Sequence, residues 1–434
     1  MASARTFSTW RRGAPFAKHL LCGMAVLFLL AAVSRCQAQD DDGDDLADTL
    51  AMLSAVIERH PTRADGYSQR GAFWRDVGEN GRAITDFSEA IRLDPNDAAN
   101  YVLRGAIWNS RGKYDKALTD FDAALRIDPT NVRAYTYRGS VWHAKGDLEK
   151  ALSDSNAAIR LAPQGAEGYV VRGMVWSTRQ EFGKAIRDYD MALSLAPNNS
   201  SAYHNRGIIH QHQGEIEQAL ADYTSAIRID PAASESYFLR GMIWMSKHDR
   251  NQALRDLTAV VQLDPRNADA FLQRGIAWHG KGKLSLAIKD WSEAIRLDPR
   301  NAEAYTQRAL GWGTQGEFDK ALRDCADAVR LNPKSGPAYH LQAWIWSTNP
   351  SSKYRDGPLA VKAATAACTL CGWKDAMAIE ALAAAHAETG NFSEAIKWQK
   401  KAVETLARDK AGQADAELRL KLYKSSKPFR DDPI

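Results

Sequence analysis

Nine of the 15 prolines stand in one register: Pro61, Pro95, Pro129, Pro163, Pro197, Pro231, Pro265, Pro299 and Pro333 are each 34 residues apart. Unrelated domains do not produce such a spacing. The 434 residues therefore describe one array of equal units rather than the two or three domains that length alone suggests. Each unit carries further marks in step with its proline. An aromatic ring recurs at Tyr67, Tyr101, Tyr135, Tyr169, Tyr203, Tyr237, Phe271 and Tyr305, and four residues later comes a small residue: Gly71, Gly105, Gly139, Gly173, Gly207, Gly241, Gly275 and Ala309. Three residues beyond that stand Trp74, Trp108, Trp142, Trp176, His210, Trp244, Trp278 and Trp312. A second block follows, for example Ala117, Leu118, Phe121, Ala124, Leu125 and Ile127 ahead of Pro129. Apolar residues three and four apart within each block predict two amphipathic helices per unit. Gly112 and Gly146 fall between the blocks as turn residues, and the proline ends a second helix that it cannot continue.

This pattern of aromatic, small residue, aromatic, Gly turn, Ala, aromatic, Ala and Pro resembles the tetratricopeptide repeat (TPR) family, and the resemblance covers roughly 360 residues. It implies an all-α fold, a right-handed α-solenoid or superhelix of stacked helix-turn-helix units, in which each unit buries one face against its neighbours only. It also implies that the first helices line a concave surface, the usual functional face in the family. Eight tandem units span 64–335. An acidic linker and a lone leading helix precede them at 39–63, and two divergent units follow at 336–409, the first broken by an insertion at about 349–357. Residues 410–434 are expected to form a capping helix with a polar tail.

The amino terminus reads differently. Residues 1–19 are polar and basic, 20–33 are apolar, and Cys36, Gln37 and Ala38 place small residues around a possible cut before Gln39. Residues 1–38 thus have the form of a secretory signal peptide, with an uncleaved signal anchor as the alternative. The expectation is export to the periplasm, cell envelope or medium, with membrane contact only through this segment if it is retained. Its five basic residues, with no acid among them, also explain the formal charge of +4: the remainder holds 52 Lys and Arg against 53 Asp and Glu. A chain so nearly neutral lacks the charge of a polyanion-binding face, so nucleic acid is not expected as a partner.

Two charged ladders follow the same period. Arg70, Arg104, Arg138, Arg172, Arg206, Arg240, Arg274 and Arg308 each precede the small residue, and each second helix carries Asp86, Asp120, Asp154, Asp188, Asp222, Asp256, Asp290 or Asp324. A row of guanidinium groups could grip an acidic ligand. At about 100° per residue, however, the Arg points into the seam between helices, where an unpaired charge is costly and the periodic Asp is its natural partner. The Trp series coincides with the family's core aromatic position, and His210 takes its place once. His143, His212 and His279 lie in different units without metal-ligand spacing, so no metal is expected.

Variation between units is more informative about function. On the side assigned to the groove, units one and three read as polar, with Asp65, Ser68, Ala72 and Arg75, then Arg133, Thr136, Ser140 and His143. From unit four onward the equivalent positions are Val170 and Met174; His204, Ile208 and Gln211; Phe238, Met242 and Met245; then Leu272 and Ile276. These form either an apolar partner-binding patch rimmed by Glu167, Glu235 and Asp269, or packing between adjacent first helices. An amphipathic helix or extended apolar peptide of a partner protein fits the first reading. Cys368 and Cys371 form a C-x-x-C at the end of a helix rather than its start, the reverse of the redox arrangement. No phosphate loop, H-E-x-x-H or nucleophile motif stands outside the repeats, so neither a catalytic residue nor a cofactor is expected. The function this implies is a non-catalytic protein-interaction scaffold or adaptor, with a glycan- or small-molecule-binding solenoid as the alternative.

Overall fold

The computed structural model describes residues 42–406 and 409–431, with side chains from Leu46 onward. The signal segment at 1–38 lies outside the described residues. Among the described residues there are 22 α-helices, one 3-10 turn and no strand, an all-α repeat solenoid. The chain divides into two compact units, with the boundary between Ser236 and Tyr237.

The first compact unit opens with α1 (Asp42–Arg59), followed by helix hairpins α2 and α3 (Ala64–Asp76, Asn80–Leu93), α4 and α5 (Ala98–Ser110, Tyr114–Ile127), and α6 and α7 (Val132–Lys145, Leu148–Leu161). It continues with α8 and α9 (Ala166–Thr178, Phe182–Leu195), α10 and α11 (Ser200–Gln213, Ile216–Ile229) and the start of α12 (Ser234–Ser246). Most of α12 belongs to the second compact unit, with α13 (Arg250–Leu263), α14 and α15 (Ala268–Gly280, Leu284–Leu297), and α16 and α17 (Ala302–Thr314, Phe318–Leu331). Then come α18 (Gly336–Thr348), a 3-10 turn at Ser352–Tyr354, α19 (Gly357–Leu370), α20 and α21 (Ala376–Glu388, Phe392–Thr405) and α22 (Lys410–Lys424). Within each compact unit, first helices such as α4 and α14 pack on their own second helices, and second helices such as α5 and α15 pack on the first helix of the next repeat.

Local chemistry places the boundaries. Asn131, Asn199, Asn267 and Asn301 accept a hydrogen bond from the backbone N–H three residues on, satisfying a donor that the helix start leaves orphaned. The turn between the two helices of a repeat needs a left-handed residue, supplied by Gly112 at φ 69° and Gly146 at φ 83°. Gln180 (φ 62°) and His248 (φ 59°) hold the same conformation without being glycine, so the stack imposes the turn even where the residue disfavours it.

The small residue of the first helix exists because of what its second helix presents. A Cβ on Gly105 would come within 2.8 Å of Phe121, on Gly173 within 2.7 Å of Tyr189, and on Gly275 within 2.5 Å of the indole of Trp291. These second-helix rings are fully buried. In the third repeat the ring is replaced by Ser155, and a Cβ on Gly139 would approach nothing closer than 3.3 Å. In the eighth repeat the ring is replaced by Cys325, and the small residue is itself Ala309.

The charged ladders pair as the helix geometry demands. All eight Arg form a two-toothed fork with the Asp 16 residues on, Nε and Nη2 donating to the two carboxylate oxygens at 2.7–3.0 Å. The Asp side chains are only 5–9% exposed. In at least six repeats the remaining guanidinium nitrogen reaches the residue 16 positions earlier, on the second helix that precedes it: Ser54, Ser88, Asp122, Asn156, Asp190 or Ser292. The aromatic ring three residues before each Arg lies 5.3–5.9 Å from its guanidinium carbon.

Two stability outcomes follow. Gly275→Ala forces a methyl group into Trp291 and should destabilise by about 1–3 kcal/mol, whereas Gly139→Ala, whose methyl group meets Asp154 Cβ at 3.3 Å and no ring, should change stability by less than about 1 kcal/mol because helix propensity offsets the tight contact; urea unfolding of the two variants tests the ordering. Arg206→Ala leaves Asp222 buried without its fork and should lower stability by about 3 kcal/mol, read as a lower unfolding midpoint in the same assay.

Candidate functional site

The groove side of each first helix is set by the packed face opposite it. With the small residue and both aromatic positions turned to the second helix, the residue directly after the small one faces away from the core. In the first compact unit, Ile208 and Gln211 of α10 are half-buried, and Gln211 accepts a hydrogen bond from Tyr223 at 2.8 Å. His204 is also half-buried, with Nδ1 2.8 Å from Ser236 Oγ and Nε2 3.6 Å from Glu235. In the second, Phe238, Met242 and Met245 of α12 and Ile276 of α14 are half-buried. These seven residues remain partly accessible to a ligand.

Val170, Met174 and Leu272 do not. They are 5%, 7% and 2% exposed. Val170 and Met174 join Tyr189, Ala202 and Ile209 in one apolar cluster, and Leu272 joins Ile288 and Trp291 in another. The expectation of an accessible patch is corrected at these three positions. Successive first helices touch one another, and side chains between them are consumed by that packing.

The Trp series is not sealed core either. Trp74, Trp108, Trp142, Trp176 and Trp312 are half-buried, each with one face against the apolar clusters or second helix and a cation from the second helix over the ring: Arg82, Lys116, Lys150, Lys184 and Lys320, at 4.2–4.6 Å from the centroid. His210, in the same register, instead sits 2.5 Å from Glu215 and 3.8 Å from Asp222.

The other histidines stay apart. His143 bonds to Thr178 at 2.8 Å, and burial lowers its pKa; His212 packs on the ring of Phe182 and His279 near Trp291. Among the described residues, no three His, Cys, Asp or Glu gather in a metal-binding arrangement. Cys325, Cys368 and Cys371 are free thiols. Burial pushes the Cys368 thiol up to about 12, away from the thiolate that nucleophilic chemistry needs, and Cys371 donates to the Cys368 carbonyl at 3.2 Å.

Along the groove edge of the second compact unit, Asp269 and Glu303 occupy the same register on α14 and α16. Partial removal from water raises both carboxyl pKa values, with the charge of Asp298 adding to the first and that of Asp269 to the second. Two carboxylates that raise each other's cost of ionisation favour cationic groups on whatever approaches this edge.

A second constellation escaped the sequence reading. Residues 425–431, expected as a polar tail, fold back onto α18, α20 and α22. Phe429 lies by Trp344, Arg430 reaches Glu388, and Asp431 accepts from the Trp344 indole. The available signal was Trp344: an indole directly after the small residue Ala343, where Ala72, Ser140, Ile208 and Met242 stand in other repeats.

Family models agree with this architecture. The tetratricopeptide repeat model matches 175–244, a TPR repeat model matches 105–146 and 279–310, and a further tetratricopeptide repeat model matches 376–408. No curated protein sequence matches the chain. Similar solved structures include YrrB, described as a TPR protein with an unusual peptide-binding site, at 22% identity over 43% of this chain and 96% of that one, with a TM-score of 0.40. They also include pilF of Pseudomonas aeruginosa, at 19% identity over 49% and 96% with a TM-score of 0.45, and yeast Tom70, at 18% identity over 92% and 96% with a TM-score of 0.38. With its 34-residue register, its paired helices and the repeat models that match these four segments, the chain is an array of tetratricopeptide repeats.

Proposed function

We propose that the chain is a non-catalytic scaffold whose concave face takes a peptide or amphipathic helix from a partner protein. One observation carries this reading. The eight periodic Arg are committed to internal forks, so the ligand-facing chemistry falls to side chains that vary from repeat to repeat. In the second compact unit those are Phe238, Met242, Met245 and Ile276, half-buried and apolar, beside the acidic edge of Asp269 and Glu303. Methionine adapts its shape to an irregular partner, and carboxylates at an apolar margin select for basic residues next to the partner's apolar ones. A partner segment with an apolar stripe and a Lys or Arg flank satisfies both. In the first compact unit, Ile208 with His204 and Gln211 offers a more polar stretch suited to hydrogen bonding.

The signal-like segment supports action outside the exporting membrane, in the periplasm, envelope or medium. Among the described residues no helix is long and apolar enough to cross a membrane.

Two measurements test this reading. Replacing Phe238 and Met242 by Asp should abolish capture of the protein partners recovered by the native chain from the envelope fraction, with helical circular dichroism retained; unchanged partners sink the groove assignment. The intact mass of the protein recovered from its native source should correspond to a chain beginning at Gln39; a mass that retains residues 1–38 supports the signal-anchor alternative instead.

A further inference from the structure

The break in the ninth repeat creates an unusual helix end. α18 stops at Thr348, and residues 349–356 run irregularly before α19, so the last carbonyls of α18 receive no continuing helix. Part of this end is capped from nearby: the Asp356 N–H donates to the Trp346 carbonyl, and Arg355 donates to the carbonyls of Asn349 and Pro350. The rest is capped from the far end of the chain. Arg430 Nη1 donates to the Ser347 carbonyl at 3.1 Å, and the Asp431 N–H donates to the Thr348 carbonyl at 2.9 Å.

Three tail residues are also held by their side chains. Phe429 has the Trp344 ring 6.0 Å away and the Arg419 guanidinium 5.0 Å from its centroid. Arg430 Nη2 lies 2.6 Å from Glu388, which also accepts from Arg355 at 3.0 Å. Asp431 Oδ2 accepts from the Trp344 indole N–H at 2.6 Å. The chain reaches this position through Ser426, whose left-handed φ of 54° turns it sharply away from the end of α22. Trp344 belongs to the groove register of α18, so the tail lies on the same face that the other repeats leave to ligands. It also binds as an extended peptide does: an aromatic on a platform, a guanidinium on a carboxylate, and backbone bonds to a helix end.

Segment 427–431 is short, outside any helix, and only half-buried at Pro428, Phe429 and Arg430. We propose that it is an internal ligand, closing a peptide site formed by Trp344, the α18 carboxyl end, Glu388 and Arg419, and that a partner segment with the sequence chemistry aromatic, Arg, acid displaces it to bind there. This rests on the reading that the concave face takes peptides. Its test uses the chain's own segment rather than the partner of the regular repeats, so either reading can fail without the other.

A chain ended at Lys424 is titrated by isothermal calorimetry with a synthetic peptide of residues 425–431. The truncated chain should bind it one to one, the full-length chain should bind it at least about tenfold more weakly because the tethered tail competes at high effective concentration, and the peptide with Arg430→Ala should fail to bind. Should truncation disturb folding, full-length Arg430→Glu, which sets like charges at Glu388, should open the site and bind the native peptide at least about tenfold more tightly than the unmodified chain. If a folded truncated chain or Arg430→Glu gains no binding over the full-length chain, the segment is a permanent structural cap and the proposal fails. A full-length dimer that is lost on truncation likewise overturns the internal assignment, because the tail then belongs to a second copy.

Discussion

The fork between Arg and Asp is the contact on which this solenoid's regularity depends. Each Asp is nearly removed from water, and such a carboxylate is tolerable only because two N–H groups meet its two oxygens in a planar match. The fork fixes how the second helix lies against the first. Where the third nitrogen reaches Ser54, Ser88, Asp122, Asn156, Asp190 or Ser292, the same side chain also fixes the previous repeat, so one residue sets both the hairpin and its neighbour. Lysine could not replace it, having neither the planar fork nor the flat face that lies over the preceding aromatic ring. What resembles a binding ladder in sequence is therefore a structural one.

Within that frame, steric fit does the remaining work. The first helix can approach the second closely because it presents hydrogen where the second presents a ring, as at Gly105 and Phe121 or Gly275 and Trp291. When the ring is lost the requirement relaxes, and Ala309 stands opposite Cys325. Period and size are thus coupled: the repeat is conserved within the molecule as a set of complementary pairs rather than as a fixed list of residues. The half-buried Trp, covered by a cation from the second helix, closes the outer edge of the pair without needing full burial.

Function falls to what these constraints leave over. The groove register is free to vary because neither the fork nor the ring uses it, and it changes from largely polar in the first and third repeats to apolar at Phe238, Met242 and Ile276. The freedom is incomplete, since Val170, Met174 and Leu272 are drawn into packing between first helices. At the altered end, the insertion after Asn349 gives up one repeat's regularity and leaves helix carbonyls for Arg430 and Asp431 to satisfy. Irregularity and a peptide-like contact occur together there because an interrupted helix end offers backbone acceptors that an unbroken repeat hides.

The sequence by itself determined the all-α repeat fold, the helix pairs, the turns and the partner of every ladder Arg. Each of these is written in residues at most 34 positions apart and repeated, so a 3.6-residue helical period and the cost of a buried charge were enough to read them. Only the tertiary structure decided which groove residues stay accessible, because that depends on how closely successive first helices approach, a distance no single helix encodes. It alone also placed the tail: Asp431 and Trp344 are 87 residues apart and share no period, and their hydrogen bond exists only because the stacking of α18 to α22 and one break in it bring the two residues together.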